Sequence, residues 1–305
     1  MIDLIERQSF LDSIKSKSGK YKRVSDTPMR YAGGKSLAVG LIAEHLPSNV
    51  KNIVSPFIGG GSFEVAVAKR LGINVQGYDV FDLLVNYWQV QVQKPKKLAM
   101  VLSSFEASDR EYREVKAELK AHWLGETLIT DSVRLAALYF FNHNTSYGPG
   151  FLGWGSSVYL QPKRWLKMID KVSSFDVPNL QVEQASFTDS IANAGESFIY
   201  ADPPYFLEGD SKMFKGIYPQ RNFPIHHNNF AHETLRDLLH NHKGGFVLSY
   251  NDCSTIREWY SDFEVLAPSW QYTMGQGEVR IGKNRLDADV NHVKKSHELL
   301  IVKRG

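Results

Sequence analysis

The chain of 305 residues holds a single cysteine, Cys253. One thiol excludes an intrachain disulfide framework and a cluster of thiolate metal ligands, and it suits the reducing cytoplasm. No apolar run approaches the roughly 20 residues that span a bilayer, so no membrane association is expected. The first residues, Met1 to Glu6, lack the basic start and apolar block of a secretory signal. Charge of one sign is also missing: 36 basic side chains against 33 acidic ones leave a net charge of +3, too small to name a partner by itself. No internal repeat is visible. The histidines, including His226 and His227, show no metal-ligand spacing, so no metal is expected. What remains is an ordinary globular composition, long enough for a substantial core in one or two domains.

Charge is unevenly placed. Lys15, Lys17, Lys20, Lys22, Arg23, Arg30 and Lys35 face only Asp26 in the same stretch, and Arg280, Lys283, Arg285, Lys294 and Lys295 form a second basic segment. Such patches suit a phosphate backbone, or simply a solvated surface. Residues 1–25, a short helical pattern followed by Ser/Lys/Gly-rich sequence, are expected to form a weakly ordered basic arm.

Two glycine-containing turns follow. Arg30-Tyr31-Ala32-Gly33-Gly34-Lys35-Ser36 opens a helix that Pro47 ends. Met29 stands where a phosphate-binding P-loop needs its first glycine, which argues against a nucleoside triphosphate. A β-rich run from Asn52 then reaches Pro56-Phe57-Ile58-Gly59-Gly60-Gly61, with a helix expected from Phe63 to Arg70. Glycine lets the backbone approach a ligand closely, and a helix N-terminus offers free N–H donors. Glu64 replaces the last glycine of a dinucleotide fingerprint. About twenty residues on, Asn74 to Asp79 reads as a second strand ending in an acid, the usual place for a ribose-binding carboxylate. Together these features specify an adenosine-type pocket.

The chemistry centres on Asp202-Pro203-Pro204-Tyr205, after the apolar strand Phe198 to Ala201. Two prolines cannot donate backbone hydrogen bonds and stiffen the chain into an extended corner with free carbonyls. A carboxylate and a phenol ring flank that corner. The set suits a planar ring with an exocyclic amine: the ring stacks on Tyr205 while Asp202 and the Pro203 carbonyl accept the amine protons. Residues 81–138 read as amphipathic helix, and Asn142 to Tyr159 as a long loop rich in glycine, aromatics and amides, a functional signature. Helix returns at Pro162 to Val172. Further strands are expected at Gln181 to Gln184, Phe246 to Tyr250, Phe263 to Leu266 and Leu299 to Val302, with a helix from His232 to His242. Strands alternating with helices predict an α/β fold with a mostly parallel sheet.

In this order, the motifs resemble the Dam-like DNA adenine-N6 methyltransferases of the D12 class. Tyr31-Ala32-Gly33-Gly34-Lys35 is similar to the family's Trp-Ala-Gly-Gly-Lys motif, Phe57-Ile58-Gly59-Gly60-Gly61 to its Phe-x-Gly-x-Gly loop, and Asp202 to Tyr205 to its catalytic motif. The resemblance implies a Rossmann-like S-adenosylmethionine-dependent methyltransferase fold, with a seven-stranded sheet, helices on both faces and a helical target-recognition insertion. The catalytic domain would comprise 26–86 and 165–305, and the insertion 87–164. It implies S-adenosyl-L-methionine as cofactor, contacted by Tyr31, Ala32, Gly33, Lys35, Phe57, Gly59, Gly61, Asp79, Phe187, Asp189 and Asp202. Asp189 reads equally as a helix cap. Double-stranded DNA is the implied substrate, with the adenine extruded from the helix; Asn142, Asn144, Tyr147, Trp154, Lys283 and Arg285 are the candidate DNA contacts. A cognate restriction endonuclease is a further partner that such an enzyme can have. Ser55 stands where relatives carry an acid. Cytosine N4, RNA adenine, a protein glutamine or a catalytically idle homologue are the alternatives, and Asp rather than Ser or Asn before Pro-Pro-Tyr favours adenine.

Overall fold

The computed structural model describes residues 4–17, 19–206, 230–268 and 298–305. Its centre is a seven-stranded sheet in the order β3-β2-β1-β4-β5-β7-β6. The strands are β1 (Asn52–Ser55), β2 (Asn74–Asp79), β3 (Leu180–Gln184), β4 (Phe198–Ala201), β5 (Phe246–Asn251), β6 (Glu264–Leu266) and β7 (Glu298–Lys303). The first five run parallel, and β7 enters antiparallel between β5 and β6. Both faces are covered, which is why β5 is buried at every position and opens on the apolar run Phe246 to Leu248. The pleat sorts side chains by alternation: Ile53, Phe198, Tyr200 and Val247 join one core, while Val54, Ile199, Ala201 and Leu248 join the other.

From β1 the chain moves outward to β2 and β3 on one side, and later to β4 and β5 on the other. The strand order therefore reverses between β1 and β4. In open α/β sheets the crevice beyond the strand ends at such a point is where ligands bind. Both the glycine loop after β1 and the Asp-Pro-Pro-Tyr segment after β4 emerge there.

Helices α1 (Leu4–Ile14), α2 (Val39–Glu44), α3 (Ser62–Leu71), α4 (Asp82–Gln93), α5 (Pro95–Leu102), α6 (Asp109–Trp123), α7 (Ser132–Thr145) and α8 (Pro162–Ser173) contribute to the first core. Helices α9 (Phe187–Ala192), α10 (His232–Asn241) and α11 (Ser254–Trp259) pack on the second. Local signals set several ends. Asp131 accepts from Val133 and Arg134 N–H to start α7, Ser108 caps α6, and Pro162 occupies the first turn of α8.

Two expectations change. The helical pattern expected in the arm over residues 1–25 is present as α1, but its Phe10 and Leu11 are buried against the core. Removing such side chains from water favours docking by about 1.5–3 kcal/mol each. The loop expected from Asn142 begins later, because α7 continues to Thr145 and is buried from Leu135 onward. Its neighbours α4, α5 and α6 surround it, so burial rather than periodicity decides where the helix stops. Helices α5–α7 also have no core of their own: Leu98, Tyr112 and Phe141 belong to the same cluster as Ile53 and Val75.

Candidate active site

Asp202 follows the last residue of β4, and its carboxylate meets Lys35 from the 31–38 turn. Lys35 Nζ donates to Asp202 Oδ1 at 2.7 Å and Oδ2 at 2.8 Å, and to the Gly33 carbonyl at 3.1 Å. Burial opposes the Lys35 ammonium, but Asp202 and then Glu298 overcome it and raise its pKa. Burial raises the pKa of Asp202, and the facing ammonium restrains that rise. Both carboxylate oxygens thus rest on one cation. Lys35 Nζ also lies 5.3 Å from the centre of the Tyr205 ring. Pro203 is buried at the corner, and Pro204 and Tyr205 are half-buried.

Two more carboxylates stand close by. Ser55 Oγ donates to Glu64 Oε1 at 2.7 Å, and Tyr205 donates its phenol proton to Glu298 Oε1. Burial pushes Glu64 up to about 7, only partly opposed by the Ser55 hydrogen bond. Its folded pKa lies above the unfolded value, so the native state binds more protons between pH 4.5 and 7 and stability falls as pH rises through that window. Glu64→Gln keeps an acceptor for Ser55 without the charge. It is expected to stabilise the protein at pH 8 by up to about 3 kcal/mol, with the advantage vanishing toward pH 5. Thermal or urea unfolding at both pH values measures this; equal stability of the two proteins at pH 8 would count against a buried anion.

The glycine loop is held from three sides. Gly59 and Gly61 have φ of +44° and +62°. A Cβ on Gly60 would lie 2.3 Å from Tyr31 Cβ, and one on Gly61 would lie 2.8 Å from the Trp88 ring. Thr27 Oγ1 donates to the Gly60 carbonyl at 2.7 Å and Trp88 Nε1 to the Gly59 carbonyl at 2.9 Å. Asp79, at the end of β2, accepts from Gly59 N at 3.3 Å and Phe81 N at 3.0 Å. Tyr31 stacks on His143 at 5.6 Å, and His143 on Tyr139 at 5.5 Å. Burial, then Arg30, holds His143 near pKa 3, so the ring is a neutral spacer.

Beside this loop, Phe57, Phe187 and Phe230 form an aromatic wall with centroid separations of 4.9–5.7 Å. Asp189 accepts from Ser186 Oγ at 2.6 Å while Ser186 Oγ accepts from Asp189 N, a reciprocal cap of α9. A loop without side chains, a carboxylate at a strand end and an apolar wall fit an adenosine-bearing group. Asp79 suits the ribose diol, the phenylalanines the purine face, and the carboxylates deeper in the site a cationic end.

The structure separates the candidate DNA contacts. Asn142 and Asn144 are fully buried and face inward. Asn142 Oδ1 accepts from Leu152 N at 2.8 Å, whereas Asn144 Oδ1 accepts from Arg30 N at 2.7 Å and Asn144 Nδ2 donates to Phe140 O at 3.3 Å. Both sit on α7, which α4, α5 and α6 surround, so in this structure they brace the fold instead of facing solvent as the expected DNA contacts would. Tyr147 and Trp154 are the opposite case, 69% and 84% exposed. The backbone bond from Tyr147 N to Trp154 O, at 2.7 Å, and the bridge between Ser146 and Gly155 make them neighbours on one projection. Lys283 and Arg285 lie outside the described residues.

Sequence reasoning missed Arg30, Glu64, His143 and Glu298. Arg30 Nη1 donates to the Asn144 carbonyl and, at 3.2 Å, to the Ser146 carbonyl; its guanidinium lies 3.3 Å from the Tyr159 ring centre. It ties the 31–35 turn to the end of α7 and to the projection beyond. Only its adjacency to Tyr31 hinted at this. Residues 31–274 match the family model described as D12 class N6 adenine-specific DNA methyltransferase.

Proposed function

Because the chain belongs to the D12 class of N6 adenine-specific DNA methyltransferases, we propose that Asp202 and the Pro203 carbonyl receive the adenine amine while Tyr205 stacks on the base. The substrate is DNA and the methylated atom is adenine N6. The family generally uses S-adenosylmethionine, which when bound supplies a methyl group on a sulfonium. We assign that cofactor to Asp79, the Gly59–Gly61 turn, Tyr31, Phe57 and Phe187. Ala32 and Gly33 shape the turn that brings Lys35 into the site. Asp189 caps α9 and thereby supports Phe187.

The observation that carries this reading is the convergence of Lys35, Asp202 and Tyr205 at the strand-order reversal, next to the glycine loop. An adenine amine is a poor nucleophile because its lone pair is delocalised into the ring. Acceptors on both protons favour a tetrahedral nitrogen, with dipoles already aimed at the charge that develops. Once methylated, the nitrogen is cationic and readily loses a proton, for which the Asp202 carboxylate is the nearest acceptor. Lys35 engages both Asp202 oxygens, and each keeps a further lone pair with which to accept from the amine.

Adenine N6 is out of reach inside a duplex, so the base is extruded, at a cost of a few kcal/mol that stacking and edge contacts offset. The segment 87–164 is proposed to meet the DNA, led by exposed Tyr147 and Trp154. Labelled cofactor with plasmid DNA, followed by mapping of modified adenines, tests the activity and yields the target sequence. Tyr205→Ala is expected to weaken capture of the base, seen as altered emission of 2-aminopurine at the mapped position. Unchanged emission would remove Tyr205 from the base site.

A further inference from the structure

Glu298 opens β7, and its antiparallel partner on β5 is Asn251. The pairing carries a residue 93 positions further along the chain to the Tyr205 hydroxyl, which donates to Glu298 Oε1. Asn251 Nδ2 meanwhile donates to the Phe206 carbonyl at 2.7 Å. Two strand-end residues, facing each other across β5 and β7, thus hold two successive residues beyond the prolines.

The site needs such a hold. Pro203 and Pro204 have no N–H to tie the segment into the sheet. The Tyr205 ring is half-buried, with the Tyr250 ring 6.4 Å away and Lys35 over its face. The Glu298 carboxylate is only 3% exposed, and burying an anion is unfavourable unless it is hydrogen-bonded. A carboxylate retained there has its acceptor aimed at the one group that the base would stack upon.

We infer that Glu298 is a positioning residue, which sets the plane of the Tyr205 ring through the phenol hydrogen bond so that an extruded adenine meets a stacking surface already in place. The inference rests on the assignment of Tyr205 to the base site. Preorganisation of this kind acts through geometry: small displacements of a positioning group lower rates far more than they lower stability.

The test combines Glu298→Ala, Glu298→Gln, Tyr205→Phe and the double variant Glu298→Ala/Tyr205→Phe. Readouts are methyl-transfer rate at saturating DNA and cofactor, and emission of 2-aminopurine at the mapped target. Glu298→Ala and Tyr205→Phe are each expected to lower the rate about tenfold, the scale of one charge-assisted hydrogen bond. The double variant should be no slower than either single one, because both remove the same bond. Glu298→Gln, which keeps an acceptor, should stay within about threefold of the wild type. Additive losses in the double variant, or a glutamine variant as slow as the alanine one, would overturn the inference.

Tyr205→Ala serves as the control. If it changes the emission and Glu298→Ala does not, the positioning role is wrong while the Tyr205 assignment stands. If Tyr205→Ala leaves the emission unchanged, the assignment itself falls. Should Glu298→Ala fail to fold, Tyr205→Phe decides: a slow Tyr205→Phe beside a near-normal Glu298→Gln supports the inference, and a Tyr205→Phe at the wild-type rate overturns it.

Discussion

Asp202→Asn is expected to lower methyl transfer by at least a hundredfold and up to about a thousandfold, the range for removing one preorganised group from a developing charge. The substitution preserves shape and one acceptor oxygen but replaces the other with an NH2 donor. That donor would face either the incoming amine or the Lys35 ammonium, which now contacts both carboxylate oxygens. It also removes the anion that would take the proton from the methylated nitrogen. Incorporation of tritiated methyl groups into plasmid DNA reads the loss directly. Turnover within about threefold of the wild type would remove Asp202 from the chemistry, since one hydrogen bond to a charged group is worth more than that.

The largest effect on stability is expected from Lys35→Met. Lys35 is the cation that Asp202 and Glu298 both stabilise, and it in turn restrains the rise in pKa of Asp202, Glu64 and Glu298. Breaking a buried pair by removing one partner costs about 3–5 kcal/mol, because the remaining charge stays buried. The sign with pH follows from the carboxylates. Burial raises all three pKa values, and Glu64 and Glu298 each sit at about 7 even with Lys35 present. The native state of the variant binds more protons than the unfolded chain, so its deficit is full at pH 8 and shrinks as pH falls through the folded pKa values. Urea unfolding of both proteins at pH 8 and pH 6 measures it. A deficit independent of pH would mean that Lys35 acts by packing alone.

His143 shows how position can reverse this trend. Its neutral ring is held near pKa 3 by burial and by Arg30, below the usual histidine value. It therefore disfavours the native state as pH falls from 6.5 toward 3, where the unfolded chain takes up the proton first. The site's carboxylates favour lower pH, whereas the stack behind the glycine loop favours higher pH.

Much of the fold could be read from the chain alone. Strands β2 and β4 have the bounds expected from their apolar runs, and β3, β5 and β7 extend by a residue or two. Parallel strands buried on both faces leave a strong signature, since every position must be apolar or small. The places of Asp79 at the end of β2 and of Asp202 to Tyr205 just after β4 were equally legible, because strand-end acids and proline pairs act through local backbone rules. The long segment from Asn142 misled for the opposite reason. Amides and glycines there resemble a recognition loop, but Asn142 and Asn144 sit on a helix enclosed by α4, α5 and α6. Composition cannot tell an amide that reads a base from one that braces a buried turn.

The sequence by itself determined the α/β architecture, the family and with it the methylated atom, because these depend on residue types at short, regular spacing. Only the tertiary structure decided which side chains surround that chemistry. Arg30 on the end of α7 and Glu298 on Tyr205 are contacts between segments 114 and 93 residues apart in the chain. Their partners are chosen by the strand order of the sheet, which no local pattern encodes.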